Sequence, residues 1–404
     1  MSDFNAMHII EALRSGIPSR TVGEYFTEAR PGMMRKINDR LDRILETGKS
    51  DGMIFTGRYG EGKTHLLNTV FNRASAANMV VSMISIGKET PIDKPYLLYQ
   101  KLIANTYLPG AVQPGFRQKL EELTQGSSVA GELLAYTARE LQTDKLYYML
   151  KAFWGTQEDE ERYAFLSDLE GDYTTASVIK RSYRRITGTP AKFSKPFSKT
   201  KHSMDYFYFM SHLFRQLGYD GWVLLFDEAE LMGRLGKKTR INSYLKMQSF
   251  LKPDAKMEQV FSLFALSSSY AEDVIDKKNE FASVEEAFAE DPAARSAAMA
   301  TLNAMMNAPE LAPLSKSEII QVLMQIQRFH GEAYDWNPDV SAETLYEATE
   351  AGGYLLRTKI RAAIELFDQL YQYGEAGKIK VTALGKESFE EDDTPELPDV
   401  DLLV

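Results

Sequence analysis

The strongest constraint on this chain is a short loop, Gly57-Arg-Tyr-Gly60-Glu-Gly62-Lys63-Thr64, which satisfies the pattern G-x-x-x-x-G-K-[ST] at every fixed position. Such a loop must leave a strand and enter a helix. Its glycines let backbone N–H groups curl around phosphates where side chains would obstruct them. The helix that follows aims its positive N-terminal end at the same anion. Before the loop stands the apolar run Gly52–Thr56, and after it the helical pattern opening Lys63-Thr-His-Leu-Leu. In this context Lys63 reaches the β- and γ-phosphates of ATP, and the Thr64 hydroxyl is a ligand of Mg2+. Gly57, Tyr59, Gly60, Glu61, Gly62, Lys63, Thr64 and His65 make up the expected nucleotide-contacting set, with His65 packing or capping rather than catalysing.

A phosphate loop of this kind calls for a parallel sheet. The β-branched run Met79–Ser85 reads as a second strand, and Trp222–Phe226 and Val260–Leu266 as two more, the last two separated by a polar helix. Strands alternating with helices predict a sheet covered on both faces. The chain divides into an N-terminal helical segment (1–48), a core (49–275) with a helical insertion at about 93–218, exposed helices or a linker (276–314), a helical bundle (315–375) and an acidic tail (376–404). The stripe Tyr206–Met210 reads as core of the helix leading into the Trp222 strand.

The Trp222 strand ends in Asp227-Glu228. A strand this apolar is buried on both faces, so charge first appears at its C-terminal edge, where open α/β sheets bind ligands. Asp227 is therefore expected to hold the magnesium shell and Glu228 to act as a general base toward water. The alternative is an Asp cap beginning a solvated helix, and Glu230 is read as a solvated helix residue. Ser267 or Ser268, after the next strand, is a candidate for a γ-phosphate contact, with a plain loop as the alternative. Gly352-Gly353 opens a last long helix whose Arg357 or Arg361 carries a donor fork suited to phosphate oxygens. Arg357 is the catalytic candidate, with a solvated helix face as the equal alternative. Arg234 or Arg240, in a segment with Lys237 and Lys238, is a candidate arginine finger for a neighbouring subunit.

Net charge is −10, which argues against bulk attraction to polyanions. Locally the balance reverses. Lys180, Arg181, Arg184, Arg185, Lys192, Lys195, Lys199 and Lys201 occur with no acidic residue among them, interleaved with Tyr183, Phe193 and Phe197. That stretch fits a DNA contact and fits equally a solvated insertion. The absence of cysteine excludes disulfides, thiol nucleophiles and cysteine–zinc sites, and the five histidines (8, 65, 202, 212, 330) lack metal-ligand spacing. No apolar run approaches the roughly 18 residues that span a bilayer, and the N-terminus lacks a secretory pattern. A cytoplasmic protein without membrane partners is expected.

The run Ile9–Arg20, the loop with its helix (57–67), Gly87-Lys-Glu-Thr-Pro91 and Leu217–Glu230 together resemble the ATP-binding proteins of bacteriophage-exclusion (BREX) systems, nearest the shorter, BrxD-like branch. The resemblance runs from about residue 8 to 370. It implies an AAA+-like core related to initiator ATPases, with the C-terminal bundle as a helical lid. It further implies ATP hydrolysis in anti-phage defence, often beside a helicase-like partner, and the leading reading is a switch or motor that forms a homo-oligomer when ATP bridges subunits. Carried over by motif, Lys63 and Thr64 bind phosphate and magnesium, while Asp227 and Glu228 bind magnesium and activate water. The serine run 267–269 departs from the asparagine usual at the first sensor. Two rival readings remain: a DNA-binding loader, and a nucleotide-gated scaffold with little turnover.

Overall fold

The computed structural model describes residues 3–15, 20–26, 30–350, 355–377 and 389. Its centre is a five-stranded sheet in the order β1-β5-β4-β2-β3. Strands β1 (Asp51–Gly57), β2 (Val80–Ser85), β4 (Trp222–Asp227) and β5 (Val260–Ser267) run parallel, and the two-residue β3 (Thr106–Tyr107) closes one edge antiparallel to β2. That edge strand lies within the stretch 93–218 read from sequence as a helical insertion, and two residues carry too little pattern to announce it. Every residue of β4 and β5 is buried, as central parallel strands require. Register places Gly57 opposite Ser267 and Ser85 opposite Asp227, so the phosphate loop and the acidic pair leave the same edge of the sheet.

Helices α1 (Asp3–Ser15), α2 (Arg20–Tyr25) and α3 (Pro31–Thr47) precede the sheet, α4 (Lys63–Ala76) follows the loop, and α5 (Pro95–Ala104) follows β2. The insertion comprises α6 (Arg117–Glu121), α7 (Ser128–Arg139), α8 (Lys145–Gly155), α9 (Asp159–Ser167), α10 (Ala176–Thr187), α11 (Lys199–His202) and α12 (Met204–Gln216). Between β4 and β5 lies α13 (Lys237–Leu251), and α14 (Glu280–Ala287) and α15 (Pro292–Met306) follow β5. The chain ends in α16 (Lys316–Tyr334), α17 (Ala342–Glu350) and α18 (Leu356–Tyr373).

Strand alternation divides the core. Phe55, Val223, Leu225 and Leu263 face α3 and α4, meeting Ile37, Leu41, Leu67 and Val70. Trp222, Leu224, Phe226 and Phe264 face the opposite way, toward Phe207, Met210, Phe250 and Leu302. There Phe226 and Phe264 stack 4.3 Å apart, and the Tyr206–Met210 stripe is buried apart from Tyr208.

Two features depart from the sequence reading. The segment 276–310 is not an exposed linker, because Ala298, Leu302 and Met305 are buried. Pro309 and Leu311 also bond through their backbones to Thr56 of β1. The N-terminal helices do not form one unit. Ile9 and Ile10 of α1 share a third core with Leu323, Phe329 and Phe367 of the C-terminal bundle, whereas α3 packs on the sheet. Pro18 and Gly352-Gly353 lie outside the described residues, as does most of the acidic tail. Phe389 is described and sits edge-on to Tyr270, its carbonyl accepting from Lys278. No helix among the described residues is long and apolar enough to cross a membrane.

Candidate functional site

The loop after β1 turns on Gly60 (φ 80°) and Gly62 (φ 94°), the latter standing where a helix cap would be. These are left-handed conformations that side chains resist, and they let α4 begin with its N–H groups directed into the loop. Lys63 is buried, and its Nζ donates to the Gly57 carbonyl at 3.1 Å. The Thr64 hydroxyl donates to Asp227 Oδ2 at 2.6 Å, joining the loop to the end of β4. Asp227 Oδ1 accepts from the Glu228 N–H at 2.9 Å. Burial raises the Asp227 carboxyl above its usual range, opposed by the Thr64 and Glu228 bonds. Glu228 has a left-handed backbone (φ 52°) and an exposed side chain on the cavity wall.

A cavity of about 540 Å³ lies between this edge of the sheet and the C-terminal bundle, within the range of small-molecule sites. One end is polar, with Gly60 to His65, Asp227, Glu228 and Glu230. The other is apolar, with Leu13, Val22, Phe26, Val322, Leu356 and Ile360. Arg357 bridges the two halves: its N–H donates to the Gly60 carbonyl at 3.3 Å, and its Nη1 to the Tyr59 hydroxyl at 3.3 Å.

Several expected residues take other places. Glu230 is buried rather than solvated. Its Oε1 is 3.5 Å from Lys63 Nζ, and its Oε2 accepts from the Ser267 N–H at 3.1 Å. The 3-10 turn at Ala229–Arg234 folds it back under the loop. The Glu61 side chain stays on the cavity wall and pairs with Arg30, which also bonds the Glu61 carbonyl at 2.7 Å. His65 donates from Nε2 to the Phe26 carbonyl at 3.1 Å, and burial lowers its pKa. Neither Ser267 nor Ser268 lines the cavity, and neither does Arg361. Arg240 is buried against Glu280 at 2.7 Å, which removes it as a finger for a neighbouring subunit, while Arg234 stays exposed.

Sequence reasoning missed Arg30, Glu230 and the apolar wall from α1, α2 and α16. Arg30 is 31 positions from its partner and carries no motif. Apolar residues at helical spacing, such as Leu13, read as ordinary helix packing.

A parallel α/β sheet with a strand–phosphate loop–helix unit, a carboxylate pair at the same edge and a helical bundle over the cleft defines a P-loop NTPase-like nucleotide-binding protein. A family model described as BREX system ATP-binding protein BrxC/D matches residues 2–128 and 146–381. The chain belongs to that family, and its role is ATP binding in phage defence. Among curated proteins and among solved structures, nothing matches it significantly.

Proposed function

We propose that the chain hydrolyses ATP in this cavity and acts as an AAA+-like switch in BREX defence. In this reading it works as a homo-oligomer in the cytoplasm, beside a helicase-like protein of the same system. The observation that carries the proposal is the 2.6 Å bond between Thr64 and Asp227, which joins the phosphate loop to the acidic edge of β4 beside Glu228. Backbone N–H groups of residues 60–64 and Lys63 take the phosphates, and the apolar end of the cavity takes the base. A hydroxyl and a carboxylate oxygen this close suit a hard cation, so Thr64 and Asp227 would hold Mg2+. Bound there, the ion supplies charge neutralisation at the β- and γ-phosphate oxygens. Glu228 accepts the proton of the attacking water. Arg357 exchanges Tyr59 for a phosphate oxygen, so that ATP strengthens the tie between bundle and sheet. Arg234, exposed where Arg240 is buried, would be the arginine that serves a neighbouring subunit.

The direct bonds from Arg357 to the phosphate loop also favour a second reading, a nucleotide-gated scaffold whose bundle closes without turnover. ATP binding and turnover by wild type, Lys63→Ala and Glu228→Gln separate the two. Hydrolysis predicts turnover lost in both variants, with binding lost only in Lys63→Ala. Tight binding by the wild type with no turnover, alone or beside its partner protein, refutes it and leaves the scaffold.

A further inference from the structure

We propose that the helical insertion carries a platform for single-stranded DNA, built from α8, α10 and the loop 188–198, separate from the ATP cavity.

The amphipathic α10 buries Ile179 and Ser182 and presents its basic residues outward. Loop 188–198 folds back across α8. The Lys192 carbonyl accepts from the Tyr148 hydroxyl at 3.1 Å, and the Lys195 carbonyl from the Asp144 N–H at 3.1 Å. This folding gathers three rings around that of Tyr148. Tyr147 meets Tyr148 at 5.3 Å, Tyr148 meets Tyr183 at 5.0 Å, and Tyr148 meets Phe193 at 5.1 Å. All four residues are half-buried, Tyr148 and Phe193 at the margin of the main core, whereas an ordinary core cluster would be sealed. Cations surround them. Lys151 lies 4.7 Å from the Tyr147 ring centre and Lys180 5.1 Å from that of Phe193, while Arg184, Lys192 and Lys195 are exposed nearby in the chain. Tyr147, Tyr148 and Lys151 come from α8, outside the basic stretch visible in the sequence.

Two of the neighbouring carboxylates are already engaged. Glu161 pairs with Arg185 at 2.6 Å, and Asp144 accepts from the Ser194 and Lys195 N–H groups at 2.8 Å. A positive surface on a chain of net charge −10 is therefore a local design, complementary to a polyanion. Rings interleaved with cations match a strand whose bases are unpaired, because a duplex hides its base faces. Lysine and arginine bond phosphate oxygens that DNA and RNA share. DNA is taken as the occupant, and an oligo-U of equal length is the RNA arm of the test, its tighter binding overturning that choice.

The test is binding of a fluorescent oligo-dT and of a duplex of equal length to the full chain without nucleotide, over a salt series. The single strand should bind more tightly, with log K falling linearly against log salt. Replacing Lys180, Arg184 and Lys192 together by Gln should reduce that slope by about 2, from roughly 0.7 per neutralised contact. Tyr183→Ala or Phe193→Ala should weaken binding roughly 5- to 150-fold. ATP-induced thermal stabilisation of each variant checks its fold, and the exposed Gln triple keeps the test open if a ring variant fails to fold. The proposal is overturned by unchanged affinity and slope in the triple, or by a duplex bound as tightly as the single strand. It is also overturned if a peptide of residues 387–401 binds more tightly than the oligonucleotide, which would mark an acidic protein segment as the occupant.

Discussion

Neutralising Glu230 should destabilise the nucleotide-free protein and tighten its hold on ATP. Lys63 and Glu230 stand 3.5 Å apart with side chains only 8% and 6% exposed. At an effective dielectric of about 20, their attraction is worth about 5 kcal/mol before desolvation is set against it. Glu230→Gln preserves shape, and the amide oxygen can still accept from the Ser267 N–H. Lys63 keeps its bond to the Gly57 carbonyl but loses its counter-charge. Stranding one member of a buried pair costs about 3–5 kcal/mol, and the retained bonds place this case near 3. For a domain of this size that is a fall in Tm of roughly 6–12 °C. Phosphate then meets a Lys63 whose remaining acidic neighbour is Asp227, and no longer faces the Glu230 carboxylate. ATP should bind roughly 10- to 100-fold more tightly, adding about 1.4–2.7 kcal/mol to ligand stabilisation at saturation. Thermal melts over an ATP series with magnesium measure both effects together. An unchanged apo Tm, or weaker ATP binding in the variant, would show that Glu230 does not hold Lys63 in reserve for phosphate.

Two further outcomes follow from buried charges away from the cavity. In the insertion, Lys145 and Asp168 are fully buried 2.8 Å apart, with Lys145 4.6 Å from the Phe197 ring centre. Lys145→Met should cost about 3–5 kcal/mol in denaturant melts, and Lys145→Met with Asp168→Leu should recover much of it; a double variant as unstable as the sum of the singles would contradict this. In the C-terminal bundle, burial acts to raise the Asp368 carboxyl, but the His330 hydrogen bond and Arg14 outweigh it and hold the carboxyl below its usual value. A lowered native pKa means that this stabilisation is present above the unfolded value of about 3.9 and is lost as pH falls through the native one. The Tm gap between wild type and Asp368→Asn should therefore be steady at pH 5–7 and shrink below about pH 4, and a gap constant down to pH 3 would refute the assignment.

Local order was legible in the sequence wherever one short segment carries its own physics. The phosphate loop needs only its own glycines and the strand and helix on either side. β4 and β5 need only continuous apolar character, and Asp227 only its place at the end of such a run. Partners far apart in the chain leave no such mark. Glu230 resembled any solvated helix residue until the turn after β4 placed it under Lys63. Arg240 looked available for a neighbour until α14 brought Glu280 to it. Residues 276–310 are polar enough to suggest a linker, yet Ala298, Leu302 and Met305 bury one face of α15.

What the sequence determined by itself was therefore the set of residues at one sheet edge: a glycine-rich turn, a hydroxyl and two carboxylates. The tertiary structure decided what encloses that edge and what balances its charges. Helix α1 joins the C-terminal bundle more than 300 residues away in the chain, so the wall opposite the phosphate loop comes from both ends of the protein. The physical reason is range. Backbone conformation and strand burial respond to near neighbours, whereas the ion pairs and apolar walls of the cavity depend on distances that exist only after the chain has packed.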